Sequence, residues 1–389
     1  LTYFEIAYEY LMNKKLRLAA TENFLTTSYV TVINGYIPTN MEDQFKKIVT
    51  STLKDAYYLE VKEADIDDPN VPILLKNSKF VNAFESLTDM FALPKYNEID
   101  PTPLLAPFYF VFFGMMVADA GYGLLMLIAT LAVLKLVNLS ESQERFIRFF
   151  YYLSYPTIFW GLIFGSVFGG VIPMPALLNP AEQYTELLGL SIIFGLIHIF
   201  FALGIKAYLN IRDKKYLDAL YDVGFWYMAL IGAIIVLLPM ITEVNETLRS
   251  IAKVVMIIGM VGIVLTNGRD AKTIGGKFAS GLYSLYGISS YVGDFVSYSR
   301  LMALGLSGGF IASAINMMVN MLFDLGFVGV ILGVVVFIGA QLFNVFLSLL
   351  GAYVHTIRLI YVEFFGKFYE GGGIQFNLFR SKSKYINLK

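Results

Sequence analysis

The chain contains no cysteine, so disulfides, zinc-thiolate sites and thiol catalysis are all excluded. It has two histidines in 389 residues, with no His-Glu-x-x-His run and no metal-spaced His pair. Gly-x-Ser-x-Gly is absent too. The nearest approach to a phosphate-binding loop, Ala271 to Phe278 (AKTIGGKF), lacks the first glycine and the Ser or Thr after the lysine. The chain therefore holds no nucleotide site of its own, and no cofactor or metal is expected. Charge is also scarce, at 15% of residues with a net value of -1, which argues against a nucleic-acid partner.

What is there is apolar. Hydrophobic residues make up 57% of the sequence and the mean hydropathy is +0.64, typical of a polytopic membrane protein. Most of the charge lies in the first hundred residues and after Lys367. The chain opens at Leu1 within an amphipathic pattern and without a basic-apolar signal segment, so a further N-terminal part is expected upstream.

Residues 4 to 22 carry apolar side chains at helical spacing, among them Phe4, Leu11 and Leu18, and predict a helix that needs a partner. TSYVTVINGYIP then reads as a strand, MEDQFKKIVTSTLKDA as a helix and YYLEVKEAD as a second strand, a small α/β cytoplasmic unit. From Asp67 onward the chain is Pro-punctuated, as a linker would be. The expected domains are 1–66, the end of a cytoplasmic domain; 67–103, the linker; 104–369, the membrane domain; and 370–389, a cytoplasmic tail.

Apolar blocks follow at 104 to 136, 146 to 172, 187 to 208, 218 to 240, 250 to 267, 279 to 323 and 326 to 366. Lys and Arg in short loops mark the cytoplasmic side. Arg145 and Arg148, then Lys206 to Lys215, then Arg269, Lys272 and Lys277, then Lys367 and the tail (Arg380, Lys382, Lys384, Lys389) are inside. Segments 173 to 186 and 241 to 247 hold Glu182, Glu186, Glu243 and Glu246 but no Lys or Arg, and are outside. The alternation closes only if 104 to 136 cross twice, as a hairpin turning near ADAGYG (118–123) with glycines at the bend. The fold class is thus an all-α polytopic membrane domain of eight helices, both termini cytoplasmic, with two long tilted C-terminal helices. A helix over 279–323 would reach about 67 Å, roughly twice the hydrocarbon thickness, so it is broken, steeply tilted or projecting.

Each long helix contains an arginine. Arg300 lies in FVSYSRLMALGLSGGF, far from either helix end, where a charge costs roughly 3 kcal/mol or more and marks a function. Arg358 is nearer the cytoplasmic end, and snorkelling is the competing reading. Gln341, Asn344, Ser348, His355 and Arg358 fall within about 100° of one another, one polar stripe on a membrane helix. Leu304, Ser307 and Ile311 share the face of Arg300, whereas Gly305, Gly309, Ala312 and Asn316 form an opposite, small face suited to packing. His198 reads first as a buried core histidine. Asp119 is balanced between a helix cap and an ion path. Asp294 is an internal acid nearly two turns from Arg300, and Glu363 a candidate lining of a cytoplasmic vestibule.

The segments SYSRLMALGLSGGFIASAI, YVHTIRLIYVEFFGKFYEGGG, GMMVADAGYGL, DALYDVGFW and EIDPTPLLAPF together resemble the membrane subunit of V-type and A-type rotary ATPases, called subunit a or subunit I, in its prokaryotic form. The resemblance implies a non-hydrolytic stator subunit in the cell membrane of a prokaryote. It faces a rotating ring of c/K-type subunits that carry ion-binding carboxylates, and moves H⁺ or Na⁺ through two half-channels. Arg300 and Arg358 match the family's essential arginines. Gln341, Asn344, Ser348, His355, Glu363, Asp119, Asp294, Asn316 and His198 are the candidate channel lining. Ser348 stands where many proton-pumping relatives carry glutamate. Further implied partners are peripheral-stalk subunits on the cytoplasmic domain, a central-stalk d/C-type subunit near the ring, and the lipid bilayer. The alternative is a secondary transporter in which Arg300 binds an anionic substrate; its usual sign, an inverted repeat, is not visible.

Overall fold

The structure, a computed structural model, describes all residues except 1, 23, 181, 238, 240–244, 267–273 and 378–389. The topology readings on Glu243, Arg269, Lys272, Arg380, Lys382, Lys384 and Lys389 lie outside the described residues, as does the side chain of Lys277. The chain divides into two compact units: Leu1–Lys76 with Ala92–Ile99 and Gly371–Lys389, and Asn77–Phe91 with Asp100–Glu370.

In the first unit, α1 (Thr2–Thr21) is the expected amphipathic helix, and Phe4, Leu11 and Leu18 stay exposed on it. The short strands β1 (Leu25–Thr26) and β2 (Thr31–Val32) pair antiparallel, and α2 (Glu42–Leu53) follows. Of the strand expected over residues 27–38, only Thr31 and Val32 form a ladder, and the run YYLEVKEAD forms none. A strand persists only where a neighbour takes up its N–H and C=O groups, and among the described residues no other strand lies beside that run. The remaining pair is long-range: β3 (Pro72–Ile73) lies parallel to β4 (Ile374–Gln375). The amides of Gly372 and Gly373 both donate to Leu93 O at 2.9 Å, and Gly372, at φ +104°, takes a conformation that side chains disfavour.

The second unit starts inside the stretch that reads as a linker. Ser78 caps the short α3 (Lys79–Asn82), and α4 (Glu85–Phe91) follows. They fold because Phe84 and Leu87 are buried, with Phe84 5.2 Å from the ring of Phe149. The Glu85 carboxylate accepts from Asn77 Nδ2 at 2.9 Å and Asn82 Nδ2 at 2.7 Å, with Arg145 beside it. Proline spacing alone does not register such aromatic anchors.

Helix α5 (Thr102–Val117) is apolar around most of its circumference, and it is accordingly the most enclosed helix: Tyr109, Phe112, Phe113 and Met115 are fully buried. It turns back into α6 (Ala120–Leu136) as the sequence predicts, but not on a glycine. Ala118 takes the left-handed conformation at φ 49°, and Asp119 caps α6 through Tyr122 N. The glycines serve contact instead. A Cβ on Gly121 would stand 2.6 Å from the Phe168 ring, and one on Gly123 would stand 2.7 Å from Ile158. Helix α7 (Glu141–Ile163), opened by a Ser140/Gln143 capping box, crosses α5 where Gly114 meets the backbone of Pro156.

Then come α8 (Tyr184–Arg212), the short α9 (Tyr216–Ala219), a π-helical turn at Leu220–Gly224, α10 (Phe225–Leu237) and α11 (Glu246–Thr266), with α10 and α11 packed through Gly232, Gly259 and Gly262. The C-terminal pair comprises α12 (Ile274–Ser297) continuing into α13 (Ser299–Phe323), and α14 (Phe327–Arg358) continuing through a π-helical segment, Leu359–Phe365, into α15 (Gly366–Phe368). Among the described residues five helices are long and apolar enough to cross a membrane: Tyr184–Arg212, Tyr216–Leu237, Glu246–Thr266, Tyr286–Phe323 and Phe327–Phe368. The α5 and α6 helices are apolar but shorter.

Candidate functional site: two arginines at helix irregularities

Both over-long helices are irregular beside their arginines. Between α12 and α13 the ladder tightens at Tyr298, whose N–H bonds Phe295 O at 3.1 Å and whose carbonyl accepts from Leu301 N at 3.0 Å. These are i to i+3 bonds, and Arg300 follows two residues later. In α14, Arg358 is the last regular residue before the π-helical segment that carries Glu363. Such irregularities let a helix re-aim side chains without leaving its hydrogen-bonded course.

Arg300 is only partly exposed and its Nη1 is buried with no hydrogen-bond partner. Among the described residues no carboxylate comes within ion-pair distance of it. The charges it feels are those of Arg358 and Glu363. Arg358 is exposed. His355 is half-buried between the fields of the two arginines, with Nδ1 unpartnered. Glu363 is buried and keeps Oε2 unpartnered, and the nearby Ser297 hydroxyl gives its hydrogen to Gly293 O at 3.0 Å.

Asp294 serves Lys367 and not Arg300: the Nζ to Oδ2 distance is 2.6 Å, both side chains are about 15% exposed, and Lys367 Nζ sits 4.0 Å over the Tyr291 ring. This pair ties α12 to α15. His198 is fully buried, stacked on Phe364 at 4.4 Å, with Nδ1 2.7 Å from the Tyr298 hydroxyl. It thereby props the residue at which the α12–α13 ladder tightens.

The upper part of the stripe belongs to one buried network. Asp119 accepts four hydrogen bonds: from Tyr122 N at 3.0 Å, Phe168 N at 3.0 Å, Ser166 Oγ at 2.7 Å and Gly169 N at 2.9 Å. The loop so held presents the Phe168 and Gly169 carbonyls to Asn316 Nδ2, at 2.8 and 3.0 Å. Gln341 Nε2 donates to Asn316 Oδ1 at 2.8 Å, and Gln341 Oε1 accepts from the Tyr122 hydroxyl at 2.6 Å. That hydroxyl in turn accepts from Asn344 Nδ2 at 2.7 Å. Below Asn344 a cavity of about 70 Å³ opens between α13 and α14, with Ser307 and Ser348 in its lining.

The structure thus brings Asp119, Asn316, Gln341 and Asn344 into one network, with Ser348 beside it, and groups Arg300, Arg358, His355 and Glu363. Asp294 and His198 are set apart, in an ion pair and an aromatic stack. Sequence reasoning missed Tyr122, Tyr298 and the 166–169 loop. Tyr122 lies within a quoted motif, but a tyrosine in an apolar helix looks like core until its cross-chain partners are known. The small face packs in part: a Cβ on Gly305 would stand 2.9 Å from Met115 O, Ala312 is buried and Asn316 bonds the 166–169 loop, but a Cβ on Gly309 would meet nothing within 4 Å.

A model described as the V-type ATPase 116kDa subunit family matches residues 8–173 and 288–381, covering the Asp119 network and both arginines. The chain belongs to that family. Its relatives include the A-type ATP synthase subunit I of Pyrococcus horikoshii, 33% identical over 99% of this chain and 59% of the relative. That of Methanocaldococcus jannaschii is 30% identical over 97% of this chain. The V-type ATP synthase subunit I of Borreliella burgdorferi is 26% identical over 87% of it. The chain spans about 59% of the length of the archaeal relatives.

Proposed function

We propose that this chain is the membrane stator subunit of a V/A-type rotary ATP synthase, lining two half-channels against a rotating ring of carboxylate-bearing subunits. One observation carries the reading: Arg300 sits in an apolar helix, and among the described residues no carboxylate comes within ion-pair distance of it. A guanidinium keeps its charge under all ordinary conditions. Left alone in a low-dielectric gap it is costly, so it calls for a counter-charge from outside the chain. A ring carboxylate that has just released its cation supplies that charge and is in turn spared isolation. The uncovered apolar side chains along α13 and α14, among them Ile311, Met318, Phe343 and Leu350, support a neighbour of matching hydrophobicity.

In this reading the α5–α6 hairpin and α7 bring the crossings to eight, with both termini on the cytoplasmic side of a prokaryotic cell membrane. Residues 1–66 end a cytoplasmic stalk-binding domain, 67–103 lead to the membrane, 104–369 translocate the ion, and 370–389 return to the cytoplasm. Gln341, Asn344 and Ser348 line the outer half-channel, Glu363 the inner one, and Arg300 keeps the two from short-circuiting. Peripheral-stalk and d/C-type central-stalk subunits are the further partners.

The test is Arg300→Gln in the assembled complex. Assembly is retained and coupled ion transport is lost; normal ATP-driven pumping by this variant refutes the assignment. Isolation of the chain with a multi-subunit ATPase is expected, whereas autonomous transport of an anion in liposomes would favour the carrier alternative.

A further inference from the structure

His198 stands apart from both polar groups, but its ring touches both irregular helices. Its Nδ1 lies 2.7 Å from the hydroxyl of Tyr298, where the α12–α13 ladder tightens two residues before Arg300. Its face lies on Phe364, 4.4 Å away and within 13° of parallel, in the π-helical segment beside Glu363. A ring nitrogen bonds in the plane of the ring, whereas stacking uses the direction normal to it. An imidazole meets both demands at once, and a phenyl ring, with no nitrogen, meets only the second. His198, Tyr298 and Phe364 are all fully buried, and Phe108 and Phe112 close around the imidazole at 4.4 and 5.1 Å. One turn earlier on α8, Gly195 makes room for the tyrosine, since a Cβ there would stand 2.5 Å from the Tyr298 ring.

Local sequence gives neither irregularity a cause. The glycines nearest Tyr298 are Gly293 and Gly305, and Leu359–Phe365 contains neither glycine nor proline. A regular α-helix is the default for both segments, so the departures must be held by contacts from elsewhere. A buried hydroxyl that meets its partner on another helix is such a contact. The geometry at stake is large enough to matter. Each residue that relaxed from a step of roughly 120° to one of roughly 100° would turn the rest of α13 by about 20° relative to α12. At the reach of an arginine side chain that is a swing of roughly 2 Å.

We propose that His198 is a positioning residue: from α8 it holds the turn at Tyr298 against the π-helical segment that carries Glu363, and so fixes the direction in which Arg300 points. The proposal rests on the half-channel reading and gives Arg300 a support outside its own helix.

The experiment measures ATP hydrolysis and ATP-driven ion uptake together, by the complete complex in proteoliposomes, with the melting temperature of each variant alongside. His198→Phe keeps the stack on Phe364 and removes the nitrogen; Tyr298→Phe removes only the hydroxyl. Each single variant leaves one buried polar group unpaired and melts earlier than wild type. The double variant removes both groups and recovers most of the melting temperature. Coupling does not recover with it. All three variants move roughly tenfold fewer ions per ATP than wild type, within what a misplacement of about an ångström costs a reacting pair. Coupling that returns with stability in the double variant makes the role of His198 one of folding alone and overturns the proposal, as does wild-type coupling in either single variant. Arg300→Gln in the same assay keeps the two readings apart. If it abolishes transport while the His198 and Tyr298 variants pump normally, the half-channel reading stands and only the positioning role falls; normal pumping by Arg300→Gln removes both.

Discussion

Asp119→Asn separates a structural acid from one on an ion path. The carboxylate accepts four hydrogen bonds, two on each oxygen, and is 3% exposed. In the isosteric amide only one oxygen remains. If it stays toward Tyr122 N and Phe168 N, the new NH₂ faces Ser166 Oγ, which can turn and accept, and Gly169 N–H, which cannot. One buried donor is then orphaned at about 1–3 kcal/mol, and two charge-assisted bonds weaken by about half, a further ~1 kcal/mol. The flipped amide is worse, because two backbone N–H groups then face donors. The expected loss is about 3 kcal/mol, concentrated on the 166–169 loop, and it passes to Asn316 and Gln341, which bond the Phe168 and Gly169 carbonyls. Thermal unfolding of the purified protein in nanodiscs should show the drop, and hydrogen exchange should show faster opening at Phe168 and Gly169. An unchanged melting temperature together with abolished transport would refute the structural account and return Asp119 to the ion path.

Other substitutions probe the remaining links. Arg300→Lys should fail in transport nearly as completely as Arg300→Gln, because an ammonium sheds its proton when desolvated whereas a guanidinium does not; normal coupling in ATP-driven ion uptake would contradict this. Lys367→Met strands the Asp294 carboxylate and should cost roughly 3 kcal/mol in unfolding experiments, with Asp294→Leu on the same background restoring much of it. A double variant as unstable as the single one would show that the ion pair does not hold α12 to α15. Gly161→Ala drives a methyl group into the Asp119–Ala120 backbone and should block assembly, as judged by yield of the complex, whereas Gly189→Ala meets nothing and should be silent.

Composition and periodicity alone settle much of this protein. A chain this apolar must fold around helices that meet their own backbone hydrogen bonds, so the helical class and the long C-terminal segments follow from hydropathy, and the α5–α6 hairpin from the placing of Lys and Arg in the short loops. An arginine deep in such a segment declares itself by its cost, as Arg300 does, whereas Arg358, nearer the helix end and exposed, can also snorkel. The tertiary structure decided what each polar residue answers to. Asp294 and Lys367 pair across 73 residues of sequence, and Tyr122 reaches Gln341 and Asn344 across more than 200. No local pattern encodes such distances. Glycines 121 and 123 read as bends but, like Gly161, are places where another chain segment comes too close for a side chain. The breaks beside the arginines were equally hidden, since Tyr298 and the Leu359–Phe365 segment hold no proline or other breaker. There the helix yields to its packing, and packing is settled only when distant parts of the chain meet.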